Sequence, residues 1–160
     1  MIIILMGVTG TGKTTAGRKL AASLGWEFFD ADDFHSAANV AKMKSGVPLD
    51  DEDRKPWLES LRRLIQESLA NDQPAVLACS ALKQDYRDVL IIDERVKLVY
   101  LKGDYDLIKA RLSARSNHYM NPALLESQFQ TLEEPIGALC VDIQSPPEEI
   151  VDIIRTQFNV

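Results

Sequence analysis

The chain has 160 residues, of which 46% are hydrophobic and 26% charged, a composition typical of one globular domain. Its net charge of −6 argues against nucleic acid or an anionic membrane as a partner. The longest apolar run, Met1 to Met6, is too short for a membrane span or for the apolar region of a signal peptide. Cys79 and Cys140 lie in apolar runs without metal-binding spacing, so both are predicted to be buried free thiols in a reducing cytoplasm.

A predicted strand, Ile2 to Met6, leads directly into a glycine-rich turn and then into a helix-prone stretch, Lys13 to Leu24. The turn has the G-x-x-x-x-G-K-[ST] pattern of a phosphate-binding loop in its required setting of strand, turn and helix. Glycine tolerates backbone angles that let consecutive N–H groups surround a phosphate at the positive end of a helix. Lys13 can reach the outer phosphates, and the Thr14 hydroxyl can bind the Mg²⁺ of a nucleoside triphosphate. The predicted nucleotide-binding residues are Gly7, Val8, Thr9, Gly10, Thr11, Gly12, Lys13, Thr14 and Thr15.

Acidic residues follow the second predicted strand, Trp26 to Phe29. Carboxylates at the carboxyl end of a parallel strand face the ligand crevice of such a sheet. Strand alternation would put Asp30 and Asp32 on the same side, where two like charges require a metal or a hydroxyl-bearing ligand. Asp33 fits a helix cap as well as a ligand role, and His35 by itself does not separate a structural role from a functional one.

The third predicted strand, Ala75 to Cys79, is nearly all apolar and therefore central in the sheet. A generic P-loop nucleoside triphosphatase carries the aspartate that organises Mg²⁺ at the end of such a strand. Here Cys79-Ser80 stands in that place. The carboxylate that organises Mg²⁺ must therefore come from another part of the chain, and Asp30 and Asp32 are the candidates.

Helical patterns separate the strands, which predicts an α/β fold with a parallel sheet. Four acids, Asp50 to Asp53, predict the charged start of a long helix that buries Trp57. Arg111 and Arg115 are four residues apart on a later helix, where unpaired like charges on one face favour binding of an anion or a carboxylate. The remaining strands are predicted at 98–101 and 139–143, a polar segment at 116–121, and further helices at 37–44, 122–131 and from 146 onward.

Several stretches together resemble the gluconate kinases (gluconokinases), small P-loop kinases akin to shikimate and adenylate kinases. The resemblance covers residues 2 to about 146, and its most specific parts are the Arg-Lys-Pro-Trp and Cys-Ser-Ala-Leu-Lys segments. The matching stretches are the phosphate loop, Asp30 to His35, Lys42-Met43, Ser45-Gly46, Leu49 to Leu58, Cys79 to Lys83, Tyr86 to Asp88, Tyr100 to Gly103, Arg111-Leu112, Arg115, His118, Ser127 to Phe129 and Leu132 to Pro135.

The resemblance implies a single three-layer P-loop kinase domain spanning residues 1–160. Its five-stranded parallel sheet would have the order 2-3-1-4-5, with helices on both faces and a lid at about 111–124. It also implies ATP-dependent phosphorylation of D-gluconate at its terminal hydroxyl, giving 6-phosphogluconate, with Mg²⁺ and often a homodimer. One departure from the family pattern is Asn117, which stands where a glycine is usual before the histidine of the lid.

The resemblance also implies roles for individual residues. Lys13, Asp32, Arg111 and Arg115 would be catalytic, with Asp32 at the acceptor hydroxyl and the two arginines neutralising charge on the transferred group. Thr14 and Asp30 would hold Mg²⁺. The acceptor pocket would draw on Asp32, His35, Arg54, Ser80, Lys83, Arg87 and His118, because a basic group can bind a carboxylate while Asp and His bond hydroxyls.

Two other interpretations compete with this one. A shikimate kinase or a nucleotide kinase would share the loop and the lid and differ only in the acceptor pocket. A nucleotide-dependent switch of the GTPase type would instead be a non-catalytic binding module. It would need an Asn-Lys-x-Asp segment to read guanine, and the sequence contains none.

Overall fold

The computed structural model describes residues 1–115 and 122–160. Its centre is a five-stranded sheet with the strand order β2-β3-β1-β4-β5, and every adjacent pair is parallel. The predicted fold class and strand order are therefore confirmed. The strands are β1 (Ile2–Met6), β2 (Glu27–Asp30), β3 (Ala75–Ala78), β4 (Val96–Lys102) and β5 (Leu139–Asp142).

Helices cover both faces of the sheet, which makes three layers. Alternate residues of the buried strand β1 divide between two apolar clusters: Ile3 and Leu5 join the cluster on one face, and Ile2 and Ile4 join the cluster on the other. The helices are α1 (Lys13–Leu24), α2 (Ala37–Lys44), α3 (Asp51–Ala70), α4 (Gln84–Leu90), α5 (Tyr105–Ala114), α6 (Pro122–Thr131) and α7 (Pro147–Phe158).

Local sequence signals set several helix ends. Gly25 ends α1 in the left-handed conformation at φ 68°. Asp50 and Asp53 form a capping box at the start of α3, in which each side chain accepts a hydrogen bond from the other residue's backbone N–H. The acidic run thus begins the long helix, as predicted.

The two cysteines differ in their surroundings. Cys79 is buried, as expected, and burial raises the pKa of its thiol to about 12. The expectation for Cys140 was wrong because its side chain is exposed. Cys140 lies on β5, an edge strand on which exposed and buried residues alternate, and it occupies an outward position. Within the ranges given above, no helix is both long and apolar enough to cross a membrane.

Candidate active site

The phosphate loop connects the carboxyl end of β1 to the first turn of α1. Gly7 has φ 151°, and a Cβ atom there would lie 2.8 Å from the carbonyl oxygen of Leu101, so a larger residue would clash with β4. Gly12 caps α1 with φ 87° and has no side chain that could cover the first-turn N–H groups. Those N–H groups therefore remain available to an anion at the positive end of the helix.

Lys13 folds back over the loop. Its Nζ donates to the carbonyl oxygens of Gly7, at 3.0 Å, and Val8, at 2.9 Å. Burial lowers the pKa of Lys13, while nearby acidic groups, Asp32 and Asp30 among them, oppose that effect. A lysine so desolvated gains from a phosphate placed beside it.

Gln128 of α6 also contacts the phosphate loop, a contact that the sequence patterns did not predict. Its Oε1 accepts a hydrogen bond from the Thr9 N–H at 2.7 Å, across 119 positions of the chain. Ser127 to Phe129 is one of the stretches that resemble the gluconate kinases, but its spacing does not indicate which residue Gln128 contacts. The contact ties the helix that follows the predicted lid to the loop.

Asp30 lies at the carboxyl end of β2, directly beside the start of α1. Its Oδ2 accepts from the Thr14 hydroxyl at 3.0 Å, and its Oδ1 accepts from the Asp32 N–H at 3.1 Å. The two residues predicted to hold Mg²⁺ are thus in direct contact. Both contribute hard oxygen atoms, the ligand type that Mg²⁺ prefers.

Asp32 is placed by a 3₁₀ turn, Ala31–Phe34, rather than by a strand, so strand alternation does not describe its position. Its carboxylate is still close to that of Asp30. Desolvation first, and then the Asp30 charge, raise the pKa of Asp32, with His35 and Lys13 acting in the opposite direction. A carboxyl with a raised pKa beside a lysine is a candidate proton acceptor.

Trp57 of α3 contacts this turn through a hydrogen bond and a stacked ring. Its indole Nε1 donates to the Ala31 carbonyl at 2.7 Å, and its ring stacks on that of His35, with centroids 4.6 Å apart and planes at 11°. Burial lowers the pKa of His35, Asp32 raises it, and the Arg54 charge lowers it further. The sequence indicated only a core position for Trp57. The structure adds a hydrogen bond to the residue between the two carboxylates.

A group of four polar side chains, here called the rim cluster, joins the start of α3 to the start of α4. It consists of Asp51, Arg54, Lys83 and Tyr86. The Tyr86 hydroxyl donates to Asp51 Oδ1 at 2.6 Å, Lys83 Nζ lies 3.1 Å from the same oxygen, and Arg54 Nη1 donates to the Tyr86 oxygen at 3.3 Å. The Arg54 and Lys83 cations also lie 5.7 and 5.5 Å from the Tyr86 ring centroid. The structure thus brings the predicted Arg54 and Lys83 together with Asp51 and Tyr86, which the sequence did not assign to the acceptor pocket.

Ser80 and Arg87, which were also predicted to line the acceptor pocket, differ in their surroundings. Ser80 is half-buried, and its carbonyl accepts from the Gly7 N–H at 3.3 Å, which ties the end of β3 to the phosphate loop. Arg87 is buried, and its guanidinium donates to the carbonyls of Ala81 and Leu82 and to the Gln84 side chain. Arg87 thus braces the loop before α4, and burial lowers its pKa. Its predicted contact with the acceptor stays a prediction.

Arg111 and Arg115 lie four positions apart at the carboxyl end of α5. Arg111 lies within α5 and donates through Nη2 to the Ile143 carbonyl at 2.6 Å. α5 ends at Ala114, so Arg115 is its C-cap residue, and its side chain is exposed. The part of the predicted lid at 116–121, which includes Asn117 and His118, lies outside the described residues.

The fold and the site together define a class of protein. A phosphate loop opens the first helix of a parallel sheet, and carboxylates and cations line the carboxyl ends of the neighbouring strands. This is the arrangement of a P-loop phosphotransferase, in which catalysis comes mainly from positioning the reactants and stabilising charge on the transferred phosphoryl group.

Known proteins narrow that class. The shikimate kinase family model matches residues 9–152. A probable gluconokinase of Mus musculus is 44% identical over 95% of this chain and 88% of its own, and the thermosensitive gluconokinase of Escherichia coli is 47% identical over 82% and 71%. The chain therefore belongs to the shikimate kinase family, and within it to the gluconokinases.

Solved structures agree with this assignment. A gluconokinase from Sinorhizobium meliloti has a TM-score of 0.83 and 39% identity, covering 94% of this chain and 86% of its own. An unliganded sugar kinase from Janibacter sp. has a TM-score of 0.91 and 39% identity, covering 99% and 94%. The shikimate kinase of Aquifex aeolicus is only 19% identical, with a TM-score of 0.61, and so shares the fold alone.

Proposed function

We propose that this enzyme transfers the γ-phosphoryl group of ATP to the terminal hydroxyl of D-gluconate, giving 6-phospho-D-gluconate and ADP. The observation that carries the proposal is the 44% identity to a gluconokinase over 95% of the chain. The site supports it, because the phosphate loop, Asp32 with its raised pKa and Lys83 follow the carboxyl ends of the neighbouring strands β1, β2 and β3. The shikimate kinase, nucleotide kinase and switch alternatives have no comparable support.

The nucleotide end of the crevice is the phosphate loop. The first-turn N–H groups of α1 would bind the β- and γ-phosphates, and Lys13 would leave the carbonyls of Gly7 and Val8 to bind the outer phosphate oxygens. Its positive charge would then lie beside the group being transferred. Charge that develops during transfer is stabilised there without reorganisation of solvent.

The acceptor end is organised around Asp32. Its carboxylate would accept the proton of the acceptor hydroxyl as that oxygen forms a bond to the γ-phosphorus and the bond to the ADP oxygen breaks. The raised pKa makes Asp32 a stronger base than an ordinary aspartate. The Trp57 hydrogen bond to Ala31 would fix the turn that carries it.

The residues present fit a magnesium ion. Thr14 and Asp30 would hold it, since their oxygen atoms lie 3.0 Å apart beside the phosphate loop. No group of three or more His, Cys, Asp or Glu side chains suited to a metal occurs in the described part of the chain. Thr14 and Asp30 would leave the other positions of an octahedral ion to phosphate and water. When bound, Mg²⁺ would neutralise charge on the phosphates.

The remaining expectations stay part of the proposal. Arg111 and Arg115 would neutralise the transferred group, His118 would contribute to the acceptor pocket, and a lid at about 111–124 would cover the nucleotide within a single domain at 1–160. The homodimer and the cytoplasmic location stay predictions.

The proposal is tested by an ADP-release assay with a panel of acceptors. We expect turnover with D-gluconate. Turnover with other sugar acids, shikimate and nucleoside monophosphates should be far slower. Analysis of the product should locate the phosphate on the terminal carbon. Faster turnover of shikimate or of a nucleoside monophosphate would overturn the proposal, and so would ATP binding without phosphorylation of any acceptor in the panel.

A further inference from the structure

The rim cluster contains a carboxylate that the proposed reaction does not use. Asp51 accepts from the Tyr86 hydroxyl at 2.6 Å, and Lys83 Nζ lies 3.1 and 3.4 Å from its two oxygens. These are charge-assisted contacts of the kind that an acceptor carboxylate would also make. In this structure the cation and the hydroxyl suited to a sugar acid are thus engaged by a carboxylate of the chain itself.

The rim cluster is joined to the turn that carries Asp32 through helix α3. His35, three residues after Asp32, stacks on Trp57, which lies one helical turn after Arg54 on α3. The charges of both Asp32 and Arg54 accordingly act on the pKa of His35. Arg54 in turn contacts Tyr86. A linear polyol acid whose terminal hydroxyl meets Asp32 would therefore extend its carboxylate past His35 toward Arg54 and Lys83.

Asp51 can leave these contacts without damage to its helix. The capping box of α3 is formed by Asp50 and Asp53, and the Asp51 side chain is 65% exposed. Its contacts with Tyr86 and Lys83 lower its pKa, so it is ionised at neutral pH. An exposed ion pair of this kind is weak enough for an incoming ligand to displace it.

We propose that Asp51 is an internal stand-in for the acceptor carboxylate, which holds Lys83 and Tyr86 until a sugar acid displaces it. The inference rests on the proposed function and adds a residue that sets acceptor affinity. The negative charge of Asp51 lowers the affinity for carboxylate-bearing acceptors and leaves uncharged polyols unaffected. Its removal should strengthen gluconate binding without adding any contact to the ligand.

Calorimetric titration with gluconate tests this on the full chain. Asp51→Asn keeps the size of the side chain and removes its charge, and we expect the Kd for gluconate to fall about fivefold. D-glucitol, which lacks the carboxylate, should bind the variant and the wild type equally. Glu52→Gln is the matched control: it removes a charge from the same helix turn, where Glu52 pairs with Lys55 at 2.9 Å outside the rim cluster.

An unchanged Kd for gluconate in Asp51→Asn would overturn the inference, because Asp51 would then have no effect on acceptor binding. A higher Kd would also overturn it, because Asp51 would then position Lys83 for the ligand. Equal gains in Asp51→Asn and Glu52→Gln would overturn it as well, since the effect would be one of general charge. Asp51→Ser, which suits a first helical turn, gives the same test if the asparagine variant does not fold. Wild-type protein that does not phosphorylate gluconate would overturn the proposed function, whereas turnover with no gain in Asp51→Asn would overturn this inference alone.

Discussion

Replacing Trp57 by phenylalanine tests whether one buried hydrogen bond holds the turn between the two site carboxylates. The indole Nε1 donates to the Ala31 carbonyl at 2.7 Å, and Ala31 separates Asp30 from Asp32. Phenylalanine keeps a flat aromatic ring for contact with His35 but has no N–H group. The Ala31 carbonyl, which belongs to a residue only 1% exposed, would lose this donor.

The size of the effect follows from burial. An unsatisfied buried carbonyl costs about 1–3 kcal/mol, and the smaller ring adds about 1 kcal/mol through imperfect packing. We therefore expect the free energy of unfolding to fall by about 3 kcal/mol and Tm by about 6–12 °C for a chain of this size. The loosened turn would misplace Asp32, which should lower kcat about tenfold or more.

Thermal unfolding and steady-state kinetics at saturating ATP measure the two effects. Trp26→Phe is the control, since Trp26 is only partly buried and packs against the apolar cluster on the opposite face of the sheet. A lower Tm with unchanged kcat would refute the positioning role of Trp57. An unchanged Tm would refute the importance of the hydrogen bond itself.

Three further predictions concern the nucleotide and the proton acceptor. Lys13→Ala should lower kcat about 10³-fold because a desolvated cation is lost from the phosphates. Lys19→Ala, at an exposed lysine of the same helix, is the control. A Lys13→Ala variant that keeps a tenth of the activity would contradict the assignment of Lys13 to the phosphates. Asp32→Asn should lower kcat about 10²-fold or more with little change in ATP binding. Because the folded-state pKa of Asp32 is raised above 3.8, wild-type kcat should fall as the pH drops through that raised value, a limb that the variant should lack. Gln128→Glu places a negative charge at the Thr9 N–H and should raise the KM for ATP about tenfold, while Gln130→Glu, exposed on the same helix, should not; equal effects in both would show that the contact with the loop is irrelevant.

Short-range patterns were enough to predict much of the fold. The strand, glycine turn and helix around Gly7 to Thr14 form one contiguous segment, so neighbouring residues alone define its conformation. Helix α1 likewise spans Lys13–Leu24, the stretch that the sequence predicted, with Gly25 as its cap. The strand order came from family resemblance rather than from periodicity, since no local pattern records which strands become neighbours in a sheet.

The acidic run at the start of α3 shows where local information stops. Asp50 and Asp53 form the capping box that a sequence can indicate, because their partners are three residues away. Asp51 belongs to the same run but contacts Tyr86, 35 positions later. No signal distinguishes it from its neighbours, because the meeting of α3 with α4 is a property of the packed sheet.

The sequence by itself determined the strand, glycine turn and helix of the phosphate loop, the parallel sheet and the acidic end of β2, because each depends on residues adjacent in the chain or on one strand's end. Tertiary structure decided the hydrogen bond of Trp57 to Ala31, the contact of Gln128 with Thr9 and the exposure of Cys140 on an edge strand. Those features join segments 26 and 119 residues apart, or depend on which strand lies outermost. Packing of the whole sheet brings such groups together, and periodicity along the chain carries no record of it.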